Sequence, residues 1–251
     1  MIRAITFDFW DTIVADDSDE PKRKAAGLAT KAIDREKLFV DEVLNNYPSV
    51  GRAAATQAHT FATEQFNTKW KNQHITPAVA DRLNVGLIRL GLPKTPEFDE
   101  LVYAYEMMEV ITPPDLAPGI GAALRDLSEE YRLGIISDTF VTPGIGLRQI
   151  LKEYGIYKYF SHFVFSDEIG ASKPVPKVFE LAAQRLAVPL DALAHVGDSE
   201  ENDVVGASAL GATTVLYTGT TDRDPTNTKA NIHCKHHNQL VRLIAEHQKS
   251  A

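Results

Sequence analysis

Residues 2–14 read IRAITFDFWDTIV, and the reading of this stretch decides the fold. An apolar, β-branched run rises to a carboxylate at Asp8, crosses Phe9 and Trp10, and then meets Asp11 and Thr12. Such a run suits a strand buried on both faces of a sheet. A carboxylate at its carboxyl end falls where open parallel sheets part and bind ligands. On this segment alone, a capping Asp8 and a turn-forming Asp11 are equally good accounts.

Outward from the stretch the pattern changes twice. Residues 15–24, ADDSDEPKRK, form a polar loop whose Ser18 and Pro21 can start a helix. Residues 22–46 carry Leu28, Ile33, Leu38, Val43 and Leu44 at near-helical spacing, until Pro48 and Gly51 interrupt them. Further helices are expected over 52–72 (Ala53, Ala54, Phe61, Phe66, Trp70), from Thr76-Pro77 through Leu90, and over 96–110. Nearly a hundred residues thus pass without a convincing strand, which predicts an all-helical insert over 15–115, packed like a four-helix bundle.

From Pro118-Gly119 onward strands and helices alternate. Strands are expected at 133–136, 162–165, 193–196 and 213–217, with a short edge strand near 231–234. Helices are expected at 120–131, 146–154, 176–186, 202–210 and 239–247, and residues 218–228 read as an exposed loop. The expected fold is α/β: a Rossmann-like, doubly wound parallel core from 1–14 and 116–251, interrupted by the helical insert.

Three expected strands end in polar groups: Asp8 with Asp11 and Thr12, Ser137 with Asp138 and Thr139, and Asp198 with Ser199. In a parallel sheet all three ends share one edge, so they can converge on one crevice. The segment 195–207, HVGDSEENDVVGA, adds Asp203 early in the next helix. Several carboxylates so placed suit Mg2+, which completes its shell with water and substrate phosphate; a cation also relieves the repulsion that would raise their pKa values. A helix-start acid favoured by the macrodipole is the lesser account of Asp203. Lys173, in GASKPVPKVF, could offset charge on Asp8 and on a bound phosphoryl group. His195 reads as structural, and the histidines at 233, 236 and 237 match no committed metal spacing.

The totals bound the rest. In 251 residues the net charge is −8, which argues against nucleic acid as a partner. A single cysteine, Cys234, cannot form an internal disulfide, and no apolar run approaches the roughly 20 residues of a membrane span. With no secretion-signal layout at the amino terminus, a soluble cytoplasmic protein is expected.

Together these residues resemble the haloacid dehalogenase-like hydrolase superfamily. Its four motifs are matched in order by residues 8–12, by IISDT ending at Ser137, by Lys173-Pro174 and by VGDSEENDVVGA. The resemblance implies a helical cap between the first two motifs. It also implies that Asp8 is a nucleophile forming an aspartyl intermediate, and that Ser137, with Thr12 and Asp138, contacts the substrate while Lys173 balances charge. Mg2+ would be held by Asp8, the backbone carbonyl of Trp10 and Asp198, with Asp203 in support, and the substrate would be a small phosphorylated molecule.

One position departs from the pattern. Phosphatases of the family usually carry an acid/base Asp two residues after the nucleophile, where this chain has Trp10. Indole transfers no proton, and loss of such a group costs on the order of a hundredfold to ten-thousandfold. Asp11 would point away in an extended strand, although a turn could bring it back. An aromatic residue there also resembles the metal-free 2-haloacid dehalogenases, which lack the acidic fourth motif. Phosphonate-cleaving relatives would use a cap lysine, for which Lys22, Lys24 and Lys31 are candidates. A degenerate, non-catalytic binding protein is the remaining alternative. Oligomeric state is open.

Overall fold

The computed structural model describes residues 1–221 and 225–250; residues 222–224, inside the expected loop 218–228, lie outside the described residues. Six strands form the sheet: β1 (Ala4–Phe7), β2 (Arg132–Ser137), β3 (Phe160–Phe165), β4 (Leu193–Gly197), β5 (Thr213–Tyr217) and β6 (Ile232–Cys234). All neighbours are parallel and the order is 3-2-1-4-5-6, the dinucleotide-fold order whose direction of winding reverses between β1 and β4.

β1 is buried along its whole length because both of its faces are covered. Ile5 and Phe7 pack with Ile120, Leu124 and Leu127 of α7 (Ile120–Ser128), Leu147 and Ile150 of α8 (Gly144–Glu153), and Leu240 and Ile244 of α12 (Leu240–Ser250). Ala4 faces the other way, onto Val178, Phe179 and Ala182 of α10 (Pro176–Arg185) and Ala207 of α11 (Gly206–Ser208). Each fully buried Phe or Leu here contributes roughly 1.5–3 kcal/mol, which holds the edge carrying the polar strand ends in place.

Residues 20–111 contain helices only: α1 (Glu20–Ala25), α2 (Lys31–Asn46), α3 (Arg52–Gln73), α4 (Val79–Arg89), α5 (Phe98–Glu106) and α6 (Met108–Ile111). They enclose a separate core around Phe39, Val43, Ala58, Leu83, Leu87 and Tyr105. The expected helix over 22–46 is two helices, broken where Gly27 takes φ +76°. Its buried face is Phe39, Val40 and Val43, whereas Leu28 and Ile33 are exposed. In α3 the buried face is Ala55, Ala58, Ala62 and Phe66, and Ala53 and Ala54 face solvent. Alanine fits either side of a helix, so its positions carry no directional signal.

Toward the carboxyl end the differences are small. Residues 202–210 were expected to form one helix; the chain instead makes a wide π-type turn over Glu200–Val205 before α11. Such turns occur often at functional sites. The segment 166–174, expected as loop, contains a one-turn helix, α9 (Ser166–Ile169). No helix among the described residues is long and apolar enough to cross a membrane.

Candidate active site

The reversal between β1 and β4 sets Asp8 and Asp198 side by side, each one residue past its strand. The Asp8 N–H continues the β4 ladder, donating to the Val196 carbonyl at 2.8 Å. Carboxylate oxygens of Asp8, Asp198 and Asp203 lie within 4.8 Å of one another, and all three residues are buried.

Lys173 bridges two members of this group, Asp8 and Asp203. Its Nζ donates to Asp8 Oδ1 and to Asp203 Oδ1, both at 2.6 Å. Asp203 is fully engaged: Oδ1 also meets His195 Nε2 at 3.0 Å, and Oδ2 accepts the Ser199 N–H at 2.9 Å. His195 is oriented in turn by Thr6 Oγ1, 2.9 Å from Nδ1. Thr6 on β1 thus positions Lys173 through His195 and Asp203.

Electrostatics separate the two partners of Lys173. Burial opposes charge on Lys173, but Asp203 and Asp8 outweigh it and keep the ammonium protonated. Burial likewise opposes charge on Asp203, and there Lys173 and His195 prevail and hold the carboxyl well below its usual range. Asp8 goes the other way: burial, together with Asp203 and Asp198, drives it well above the usual carboxylate range despite Lys173. One ammonium cannot neutralise three carboxylates. An all-oxygen donor set with this deficit fits a hard divalent cation, whose charge would return Asp8 to its anionic form. Asp8 and Asp198 are suited to hold it directly, whereas the oxygens of Asp203 are already committed.

These groups open into a cleft of about 370 Å³, whose walls include Asp8, Trp10, Asp11, Asp138, Lys173 and Asp198. Asp11 reaches the cleft because the chain turns there: its φ is +53°, and its Oδ1 accepts the Asp16 N–H at 3.1 Å. Two expected site residues are placed otherwise. Thr12 lies behind the cleft wall, fully buried, its hydroxyl without a partner among the described residues and its carbonyl facing His237 Nε2 at 2.8 Å. Ser137 is also off the wall, and its hydroxyl donates to the Asp138 carbonyl at 3.2 Å.

Asp138 instead joins the two halves of the site. Its Oδ1 accepts the Lys173 N–H at 3.0 Å, and its Oδ2 accepts the indole N–H of Trp70 at 3.2 Å. Trp70 sits near the end of α3 and meets Phe140 edge-to-face with centroids 4.6 Å apart. Just beyond, His74 turns left-handed, its carbonyl accepts the Ser172 N–H at 2.8 Å, and Thr76 and Ser172 share a 3.0 Å hydroxyl contact. Trp70 and Phe140 were not expected as site residues. Phe140 follows Asp138-Thr139 closely enough to have been a candidate, but nothing local marks Trp70.

The fold and this cluster define an α/β protein with carboxylates and one lysine gathered at a sheet's reversal point. The haloacid dehalogenase-like hydrolase model matches residues 2–211, and the chain belongs to that family. Among curated relatives, a glyceraldehyde 3-phosphate phosphatase of Methanopyrus kandleri is 38% identical over 104 residues, 41% of each chain. The match therefore spans about two-fifths of that relative's length. The pyrimidine 5'-nucleotidase YjjG of Escherichia coli is 27% identical over 213 residues, 84% of this chain and 83% of its own. Among solved structures, a phosphatase of the same family from Thermococcus onnurineus superposes with TM-score 0.65 at 22% identity, covering 97% of this chain and 98% of its own.

Proposed function

We propose that this hydrolase is a Mg2+-dependent phosphatase of a small phosphorylated molecule, acting through an aspartyl-phosphate at Asp8. The observation that carries the reading is the convergence of Asp8, Asp198 and Asp203 carboxylate oxygens within 4.8 Å, with the Lys173 ammonium paired to Asp8 and Asp203. A bound Mg2+ would supply charge neutralisation for the carboxylates and the phosphoryl oxygens.

The chain's own residues do the remainder. An Asp8 carboxylate oxygen attacks phosphorus and the bond to the leaving oxygen breaks, giving an acyl phosphate and the released alcohol. Water then attacks that phosphorus and returns the carboxylate. Lys173 stands beside the attacking oxygen and balances charge throughout, held by Asp203. Helices α1–α6 act as the cap, with Trp70 meeting Asp138 over the cleft to limit water. Trp10 donates no proton to the leaving oxygen, so Asp11, turned into the same cleft, is the acid/base candidate.

Hydrolysis of an aryl phosphate with and without Mg2+, run beside chloride release from a 2-chloro acid, tests this. Metal-dependent phosphate release that Asp8→Asn abolishes is expected. Metal-independent chloride release would instead make the chain a dehalogenase, the reading that Trp10 favours, and neither product would make it a binding protein. Asp11→Asn is expected to slow alkyl esters more than aryl esters; equal rates would remove Asp11 from the mechanism.

A further inference from the structure

Beyond Trp10 and Phe140 the cleft adjoins a hollow of about 150 Å³, with which it shares those two residues and Asp16. That hollow shares Lys31 and Arg35 with a larger one of about 510 Å³, whose wall also includes His59, Thr63, Arg82 and Tyr105. Three neighbouring cavities with wall residues in common therefore lie in series from Asp8 into the helical half of the molecule.

Three cations face it, and they are not equally paired. Lys31 meets Asp19 at 2.7 Å, Asp17 at 3.2 Å and Glu109 at 3.5 Å, while Arg35 meets Glu109 at 2.5 Å. Asp17 and Glu20 stand on the same wall. Arg82 has no carboxylate within ion-pair distance among the described residues. Its guanidinium lies 4.7 Å from the Phe66 centroid and 5.9 Å from that of Tyr105, which Arg35 also approaches at 5.6 Å. One terminal nitrogen donates to Thr63 Oγ1 at 3.1 Å, and the buried Nε has no partner. Arg35 and Arg82 thus both approach the Tyr105 ring, and of the two only Arg35 is paired with Glu109. Aromatic faces stabilise such cations but do not neutralise them, and a mostly buried guanidinium without a counter-ion calls for an anion.

We propose that Arg82, with Arg35, binds a second acidic group on the substrate, so that the favoured substrates are phosphate monoesters whose leaving group ends in a carboxylate or a second phosphate. This rests on the phosphatase reading of the Asp8 cleft. The phosphoryl group sits at Asp8 and Lys173, the connecting chain passes Trp10 and Phe140, and the far anion lies between the two arginines. Planar guanidinium forks suit either acid.

The test compares ω-carboxyalkyl phosphates, alkane α,ω-bisphosphates and ω-hydroxyalkyl phosphates of graded chain length. At one matching length an acid-terminated ester is expected to exceed its hydroxyl analogue in kcat/KM by about ten- to hundredfold, mostly through KM. Which acid gains more assigns the site to carboxylate or phosphate. Arg82→Gln is expected to erase the preference and Arg82→Lys to keep part of it, with thermal melts confirming folding. No preference at any length, or an equal loss in every series with Arg82→Gln, overturns the inference. If no phosphate ester is turned over, the phosphatase reading fails separately; calorimetric binding of the same compounds then decides, and equal affinity for acid- and hydroxyl-terminated members overturns the anion site.

Discussion

In the proposed phosphatase, Trp10 stands where relatives usually carry the acid that protonates the leaving oxygen. Its ring packs edge-to-face on Phe9 at 5.0 Å and lines the cleft, while its buried indole N–H has no partner among the described residues. With indole at this position and Asp11 standing in as acid, the rate should fall more as the leaving alcohol becomes more basic than it would with an aspartate at 10. Trp10→Asp is expected to flatten that dependence, raising alkyl-ester turnover relative to aryl turnover by about tenfold or more; an unchanged slope across a series of esters would show that protonation is supplied elsewhere. His237 offers a test of a different kind. It stacks on Tyr217 with centroids 3.8 Å apart, and burial pushes its pKa down to about 4. Between about 4 and the ordinary value near 6.5 the unfolded chain binds the extra proton, so this histidine's contribution to stability is present above that window and is lost as pH falls through it. Denaturant melts of wild type and His237→Asn should therefore converge by up to roughly 3 kcal/mol between pH 7 and pH 4. Glu106, which burial and Asp167 raise to about 6, acts in the opposite sense, and its effect cancels in that difference.

The elements bearing the site were legible where a strand's apolar run stops on an acid. Asp8 and Asp198 stood out for that reason, and Lys173 only through the company of the other polar groups, since a lone loop lysine is usually just solvated. What escaped detection depended on partners far away in sequence. Thr6 reads as one more strand residue until His195 is placed against it, and Trp70 reads as helix core until Asp138 is found beneath it. Thr12 lies in the interior because the turn that swings Asp11 into the cleft carries its neighbour inward. Gly197, between β4 and Asp198, shows how tightly these elements are fitted: a Cβ there would collide with the Asp203 carboxylate. Gly197→Ala is expected to cost about 1–3 kcal/mol by overpacking and to lower kcat by disturbing the Asp203 to Lys173 contact. Lys173→Met leaves three buried carboxylates without their ammonium. Added Mg2+ should raise its melting temperature more than it raises that of wild type, and an equal rise would place the cation away from this cluster.

At the scale of the whole molecule, two separately cored halves meet through polar contacts between the end of α3 and the loops after β2 and α9, and through Val141 and Thr142, which reach the helices of the other half. Trp70→Phe keeps the ring against Phe140 but removes the hydrogen bond to Asp138. A rise in KM with a smaller change in kcat is expected if that bond helps hold the halves together over substrate. The chain has two tryptophans, and both stand on the walls of this one cleft, one contributed by each half. Light emitted on selective indole excitation therefore originates entirely at the place where substrate would enter. The native protein carries its own optical probe of occupancy, and stopped-flow emission could time substrate entry without a label.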